Sequence, residues 1–121
     1  MPSIKHIEFW VSNKEKSLAF YVSIFKLIGW QQVDTNSFTD GNTKIYFIEQ
    51  SVNFNKNIGP RHICFLAESR DIVERVADFL KASNSFILRG PMNYTYKNRS
   101  AYTIDFKDPD GYILEVATKS V

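Results

Sequence analysis

The chain has 121 residues, 44% of them hydrophobic, a size and composition suited to one domain that buries a core without disulfide or metal staples. Fifteen Lys and Arg against thirteen Asp and Glu leave a net charge of +2, and the basic residues are scattered, so no stripe exists to track phosphates and nucleic acid is not an expected partner. The start carries no apolar stretch behind a basic one, and no window approaches the roughly 20 apolar residues of a membrane span, so a cytoplasmic protein without a membrane partner is expected.

The first element is a strand, Lys5-His6-Ile7-Glu8-Phe9-Trp10-Val11, with apolar residues at every second position. Ser12-Asn13-Lys14-Glu15 reads as a capping box opening a helix that carries Leu18, Tyr21, Phe25 and Ile28 on one face and stops near Gly29. Short β-rich runs follow at Trp30–Val33, Ser37–Thr39 and Thr43–Ile48, with Asp40-Gly41 turning the last hairpin. The polar, Asn-rich stretch 51–60 is a connector rather than a linker between independent domains.

Arg61-His62-Ile63-Cys64-Phe65 then repeats Lys5-His6-Ile7-Glu8-Phe9 at a separation of 56 residues. Ser69 opens a second helix with Ile72, Val73, Val76, Phe79 and Leu80 on one face, ending near Ser83-Asn84. Strands are expected at Phe86–Leu88, Ala101–Phe106 and Tyr112–Ala117, the last two joined by Asp108-Pro109-Asp110-Gly111. Each half therefore reads β-α-β-β-β. The expected class is α+β: two tandem βαβββ modules, about 3–50 and 61–119, forming a curved mixed-sheet cup with helices outside, all within one domain over 1–121. The single cysteine, Cys64, has no partner for an internal disulfide and lies in an apolar run, so it is expected in the core.

Strand alternation sorts these side chains onto two faces. Ile7, Phe9 and Val11 go to the helix, leaving His6, Glu8 and Trp10 opposite; Ile63 and Phe65 leave His62, Cys64 and Leu66 opposite. By the same parity Glu115 joins the histidines, together with Thr103 and Asp105, while Tyr102, Ile104 and Phe106 are core. Two imidazoles and a carboxylate on a helix-free face form the arrangement that holds a divalent metal and leaves positions open. The competing reading pairs Glu115 with a histidine and needs no metal.

His6-Ile7-Glu8-Phe9-Trp10-Val11-Ser12, Glu15-Lys16-Ser17-Leu18-Ala19-Phe20-Tyr21, Arg61-His62-Ile63-Cys64-Phe65 and Asp108-Pro109-Asp110-Gly111-Tyr112-Ile113-Leu114-Glu115-Val116 together resemble the recurring blocks of the vicinal-oxygen-chelate superfamily of glyoxalases, bleomycin-resistance proteins and dioxygenases. The resemblance spans nearly the whole chain, and with Gly90–Tyr94 and Ser100–Tyr102 it is nearest to small bacterial glyoxalase-like proteins. It implies His6, His62 and Glu115 as metal ligands. Glyoxalase I members add a fourth ligand on the last strand of the first module, where this chain has Ile45-Tyr46-Phe47, with Glu49 displaced toward the connector. Fosfomycin-resistance members extend further beyond the final glutamate than the six residues found here and carry a loop for a monovalent cation.

The implied activity is that of a metal-dependent lyase, isomerase or transferase on a small substrate that chelates zinc, nickel, iron, manganese or cobalt through adjacent oxygens. The alternative is a metal-free module that sequesters a drug or metabolite, with iron-dependent ring cleavage a third reading. Glu8 and Asp105 are candidate general bases beside Glu115, the competing readings being a salt bridge for Glu8 and edge-strand solvation for Asp105. Trp10, Trp30, Tyr94, Tyr96 and Tyr102 are candidate pocket walls, Tyr102 with a buried look, and Arg99 is a candidate holder of an anionic group or a solvated loop residue. A homodimer is expected, with the site formed within one chain or by exchange of modules.

Overall fold

The computed structural model describes residues 2–52 and 59–120, which gather into two compact units divided between residues 57 and 58. Much of the expected connector, residues 53–58, lies outside the described residues.

In the first unit β1 (His6–Val11) leads through α1 (Lys14–Ile28) to β2 (Gln31–Asp34), β3 (Ser37–Thr39) and β4 (Lys44–Glu49). The sheet order is β1-β4-β3-β2, with β1 and β4 parallel and the other pairs antiparallel. The second unit has β5 (Ile63–Ala67), α2 (Arg70–Ala82), β6 (Ile87–Tyr96), β7 (Arg99–Lys107) and β8 (Ile113–Thr118), in sheet order β5-β8-β7-β6. Again only the β5–β8 pair is parallel. The two βαβββ modules are thus one topology used twice, as the repeat predicts.

The helix boundaries have local causes. Asn13 caps α1 by accepting from the Lys16 amide at 3.0 Å, so the cap lies one residue beyond the Ser12 of the expected capping box. Glu49 adds a carboxylate at the same end, accepting from the Lys14 amide at 2.9 Å, where the helix dipole favours negative charge. Gly29, at φ 91°, ends the helix in the left-handed conformation. Ser69 caps α2 as predicted, accepting from the Ile72 amide at 3.3 Å.

Each helix lays one face on its sheet. From α1, Phe20, Tyr21, Ile24, Phe25 and Ile28 are buried; Tyr21 packs 4.4 Å from Phe47 and Phe25 4.8 Å from Phe38, ring centre to ring centre. In the second unit Val73, Val76, Ala77 and Leu80 of α2 are buried with Phe65, Ile104, Phe106, Leu114 and Val116. Side chains this fully buried each stabilise by about 1.5–3 kcal/mol. Trp30 lies on this packed side, stacked 5.0 Å from Phe25, the core placement that competes with a pocket wall for aromatics at strand spacing.

The last hairpin of each unit uses the same turn device. Asp40 Oδ1 accepts from the Asn42 and Thr43 amides at 2.8 and 2.7 Å, and Asp108 Oδ1 from the Asp110 and Tyr112 amides at 2.9 and 2.8 Å. Gly41 and Gly111, at φ 97° and 95°, supply the left-handed step.

β6 is longer than the expected Phe86–Leu88. Pairing with β7 continues to Tyr96 through irregularities between Ile87 and Met92, because β6 is an edge strand, where Pro91 can face away from its neighbour. The Gly90–Pro91 peptide is cis and Gly90 has φ 89°. A Cβ on Gly90 would meet the Thr103 carbonyl oxygen at 2.5 Å, whereas one on Gly41 would meet nothing within 4 Å. Gly41→Ala should therefore cost about 1 kcal/mol for its backbone conformation alone, and Gly90→Ala about 3 kcal/mol or more. Urea unfolding with a shared slope measures both; equal losses would mean that the close approach of β6 to β7 is not a constraint.

Candidate metal centre

On the first unit's helix-free face, His6, Glu8 and Trp10 alternate with buried Phe9 and Val11, as parity predicts. Register places Lys44, Tyr46 and Ile48 of β4 beside them. The Glu8 carboxylate is engaged at both oxygens: Trp10 Nε1 donates to one at 2.6 Å and the Tyr46 hydroxyl to the other at 3.0 Å. That bond, with burial and the Glu8 charge after it, raises the Tyr46 phenol above its ordinary range. The His6 ring leans on Tyr46 at 5.6 Å. Tyr46 therefore stands on the open face of the strand where a fourth ligand was sought. Glu49, of opposite parity, turns to the start of α1.

The second unit by itself brings together two of the three candidate ligands. His62 immediately precedes β5, and its Nε2 lies 3.3 Å from Oε1 of Glu115 on β8. Glu115 Oε2 accepts from the Thr103 hydroxyl at 2.5 Å, and Thr103 is itself 1% exposed. The carboxylate is thus held by a buried neighbour, with one oxygen left toward the half-exposed imidazole. Two ligands each about 2.1 Å from one ion, at tetrahedral or octahedral angles, lie about 3.0–3.4 Å apart, so this spacing suits a shared divalent metal. An imidazole and a carboxylate also match the donor preference of such ions. Among the described residues of neither unit do three His, Cys, Asp or Glu side chains gather closely enough to hold an ion alone.

Asp105, paired in register with Glu115, is not solvated at an edge: β7 is an inner strand, and Arg89 Nε binds its Oδ2 at 2.8 Å. Its Oδ1 is buried without a hydrogen-bond partner. A hollow of about 410 Å³ brings His62 and Asp105 together with Arg61 and Arg89. A second, of about 570 Å³, is lined by Glu115, Cys64, Leu66, Tyr94, Tyr96 and Arg99 among others. Tyr94, Tyr96 and Arg99 line this second hollow, and Arg99 opens β7 instead of lying in a loop. Tyr102 is buried on the helix side, donating its hydroxyl to Glu74 under the Arg70 guanidinium.

Cys64 corrects the sequence expectation. It is exposed and not in the core, because β5 sends Phe65 and Ala67 to the helix and Cys64 to the face of Glu115, its register partner. An apolar neighbourhood in sequence did not outweigh the two-residue period.

The comparisons with known proteins bear on the family and the fold. The chain belongs to the Glyoxalase/Bleomycin resistance protein/Dioxygenase superfamily, whose model matches residues 3–116. It is 33% identical to the metallothiol transferase FosB of Lysinibacillus sphaericus, across 96% of this chain and 82% of that protein. A protein of Bacillus halodurans provisionally assigned as a glyoxalase shares its fold with a TM-score of 0.74 at 24% identity, over 96% of this chain and 95% of that one. The lactoylglutathione lyase of Agrobacterium tumefaciens does so with a TM-score of 0.63 at 18% identity, over 96% and 92%.

Although part of Cys64 faces solvent, its neighbours crowd the sulfur. Burial first, then the charge and hydrogen bonding of Glu115 and the charge of Asp105, push its thiol up to about 12. A free thiol near 8.5 would carry about a thousandfold more thiolate at pH 8. Iodoacetamide should therefore label folded protein at least a hundredfold more slowly than the urea-unfolded chain, and Glu115→Gln should speed the folded reaction. Equal rates folded and unfolded would contradict the proximity of the sulfur to the two carboxylates.

Proposed function

We propose that this chain is a metal-dependent enzyme of the glyoxalase-like type, a lyase, isomerase or transferase acting on a small substrate that chelates a divalent ion through adjacent oxygens. The observation that carries the reading is the His62–Glu115 pair at 3.3 Å, with Glu115 pinned by buried Thr103. His62, Glu115 and His6 are the proposed ligands, and the two modules act as one domain, with a homodimer as the working assembly. The relative's name, metallothiol transferase, supports both the metal and transfer as one of the three reaction types.

When bound, the ion would supply Lewis-acid stabilisation of negative charge developing on the substrate's oxygens. The chain's own groups have separable tasks. Thr103 orients Glu115, as hydrogen bonds to ligating carboxylates do. Of the two candidate bases, Asp105 keeps one oxygen, Oδ1, without a hydrogen-bond partner, while both oxygens of Glu8 are occupied. Glu8 instead holds Tyr46 and Trp10 in place. The larger hollow, with Tyr94 and Arg99 in its wall, is the proposed seat of the substrate, and Trp10 is the first unit's proposed contribution to substrate binding.

The test is the metal content of untagged protein by plasma mass spectrometry, followed by titration of stripped protein with zinc, nickel and manganese. Wild type should hold close to one ion per chain, and His62→Ala should lose it. Thr103→Val should keep the fold but bind about 10–100-fold more weakly. Wild type that binds no ion more tightly than His62→Ala would transfer the function to metal-free capture of a small ligand.

A further inference from the structure

The β6–β7 turn, whose flanking residues Tyr96 and Arg99 line the larger hollow, has an unexpected occupant. Its two central residues, Lys97 and Asn98, have φ 47° and 65°, the values of a type I′ hairpin turn, for which Asn-Gly would be the unstrained choice. Lysine is disfavoured at positive φ. Its ammonium lies 5.4 Å from the centre of the Tyr96 ring, and Tyr96 lines the hollow. Arg99, the register partner of Tyr96, lines the hollow as well. Among the described residues neither Lys97 nor Arg99 makes an ion pair, in contrast to Arg75 and Arg89.

Thr118 and Ser120 add hydroxyls to the wall, and the remaining lining, Cys64, Leu66, Tyr94, Ala101 and Ala117, is mostly apolar or aromatic. Leu66 is 62% exposed there. Tyr94 is held from one side by the Arg89 guanidinium at 4.6 Å, which Asp105 anchors in turn. The one carboxylate in the wall, Glu115, is engaged by Thr103. Thr103, which marks the Glu115 end, is four residues along β7 from Arg99, a strand length of about 13 Å. The hollow is therefore polarised: a carboxylate at one end, Arg99 at the other with Lys97 in the adjoining turn against Tyr96, and a largely apolar stretch between.

We propose that the Lys97–Arg99 end is a subsite for the carboxylate or phosphate of a small amphipathic anion, whose apolar body lies against Tyr94 and Tyr96. The proposal rests on the reading of this hollow as the substrate's seat and adds the substrate's class and orientation. In metal-free protein Glu115 repels a negative group while the hairpin end attracts one, so the anionic terminus points toward Arg99 and Lys97. Both cations are near solvent, so the preference should be modest and screened by salt.

The probes are 4-phenylbutyrate and 4-phenylbutan-1-ol, which share a body and differ in charge, titrated by ligand-observed NMR into metal-free protein. The acid should bind about fivefold to tenfold more tightly than the alcohol, and the lead should shrink in 1 M NaCl. In a Lys97→Gln, Arg99→Gln double variant the lead should vanish while the alcohol binds as in wild type, which also reports that the hollow is intact. Equal affinities in wild type, a preference that survives the double variant, loss of both probes together, or binding of neither would overturn the proposal. Because no metal is present, failure of the metal reading leaves this result legible.

Discussion

The constraint on which the rest of this structure depends is the two-residue period of a strand that has one face sealed by a helix. In each unit the helix buries large aliphatic and aromatic side chains against alternate strand positions: Phe9, Phe38 and Phe47 under α1, and Phe65, Ile104, Phe106 and Leu114 under α2. Slipping any of these strands by one residue would bring polar groups under the helix, at a cost of several kcal/mol in lost apolar burial. Because the packed face is fixed, the other face is fixed too. His6, Glu8 and Trp10 in one unit, and Cys64, Thr103, Asp105 and Glu115 in the other, are placed by the burial of their neighbours.

From that constraint the chemistry follows by short steps. Parallel pairing of β5 with β8 puts Cys64 beside Glu115, and antiparallel pairing of β7 with β8 puts Asp105 on its other flank. Glu115 thus stands among groups that either orient it, as Thr103 does, or share its negative field, as Asp105 does. At Cys64, burial first and then the charges of Glu115 and Asp105 push the thiol up, which favours its protonated, less nucleophilic form. The first unit spends its carboxylate differently. Glu8 is bound by Trp10 and Tyr46, and so acts as a brace across β1 and β4.

Much of the fold was legible because its signals are periodic. The His-Ile-x-Phe repeat announced two modules, the helix faces announced two layers, and Asp-Gly turns placed the last hairpins; all three are backbone or burial effects read directly from residue type. What was not legible depended on pairing. The extension of β6 through Gly90-Pro91 is a property of an edge strand, and the sequence names no edges. Cys64 was misplaced because its apolar neighbours were weighed above its parity, and Trp30 was left between core and pocket wall because a tryptophan near a strand looks the same whether it faces helix or hollow. Within the site, the proposed ligand residues were picked out by type and position. The engagement of Glu8, the Thr103 brace and the ion pair of Asp105 with Arg89 were not, since each joins side chains on different strands.

The central proposal is that His62 and Glu115 hold one divalent ion with His6 as the third ligand, and cobalt(II) titration of metal-free protein tests it most directly through the visible ligand-field bands. Wild type should saturate at one equivalent per chain, with His6→Ala, His62→Ala and Glu115→Gln each changing the spectrum and weakening binding at least tenfold. Glu49→Gln, altered only at the cap of α1, should match wild type. A wild-type spectrum and affinity unchanged in all three ligand variants, or altered only by Glu49→Gln, would contradict the account.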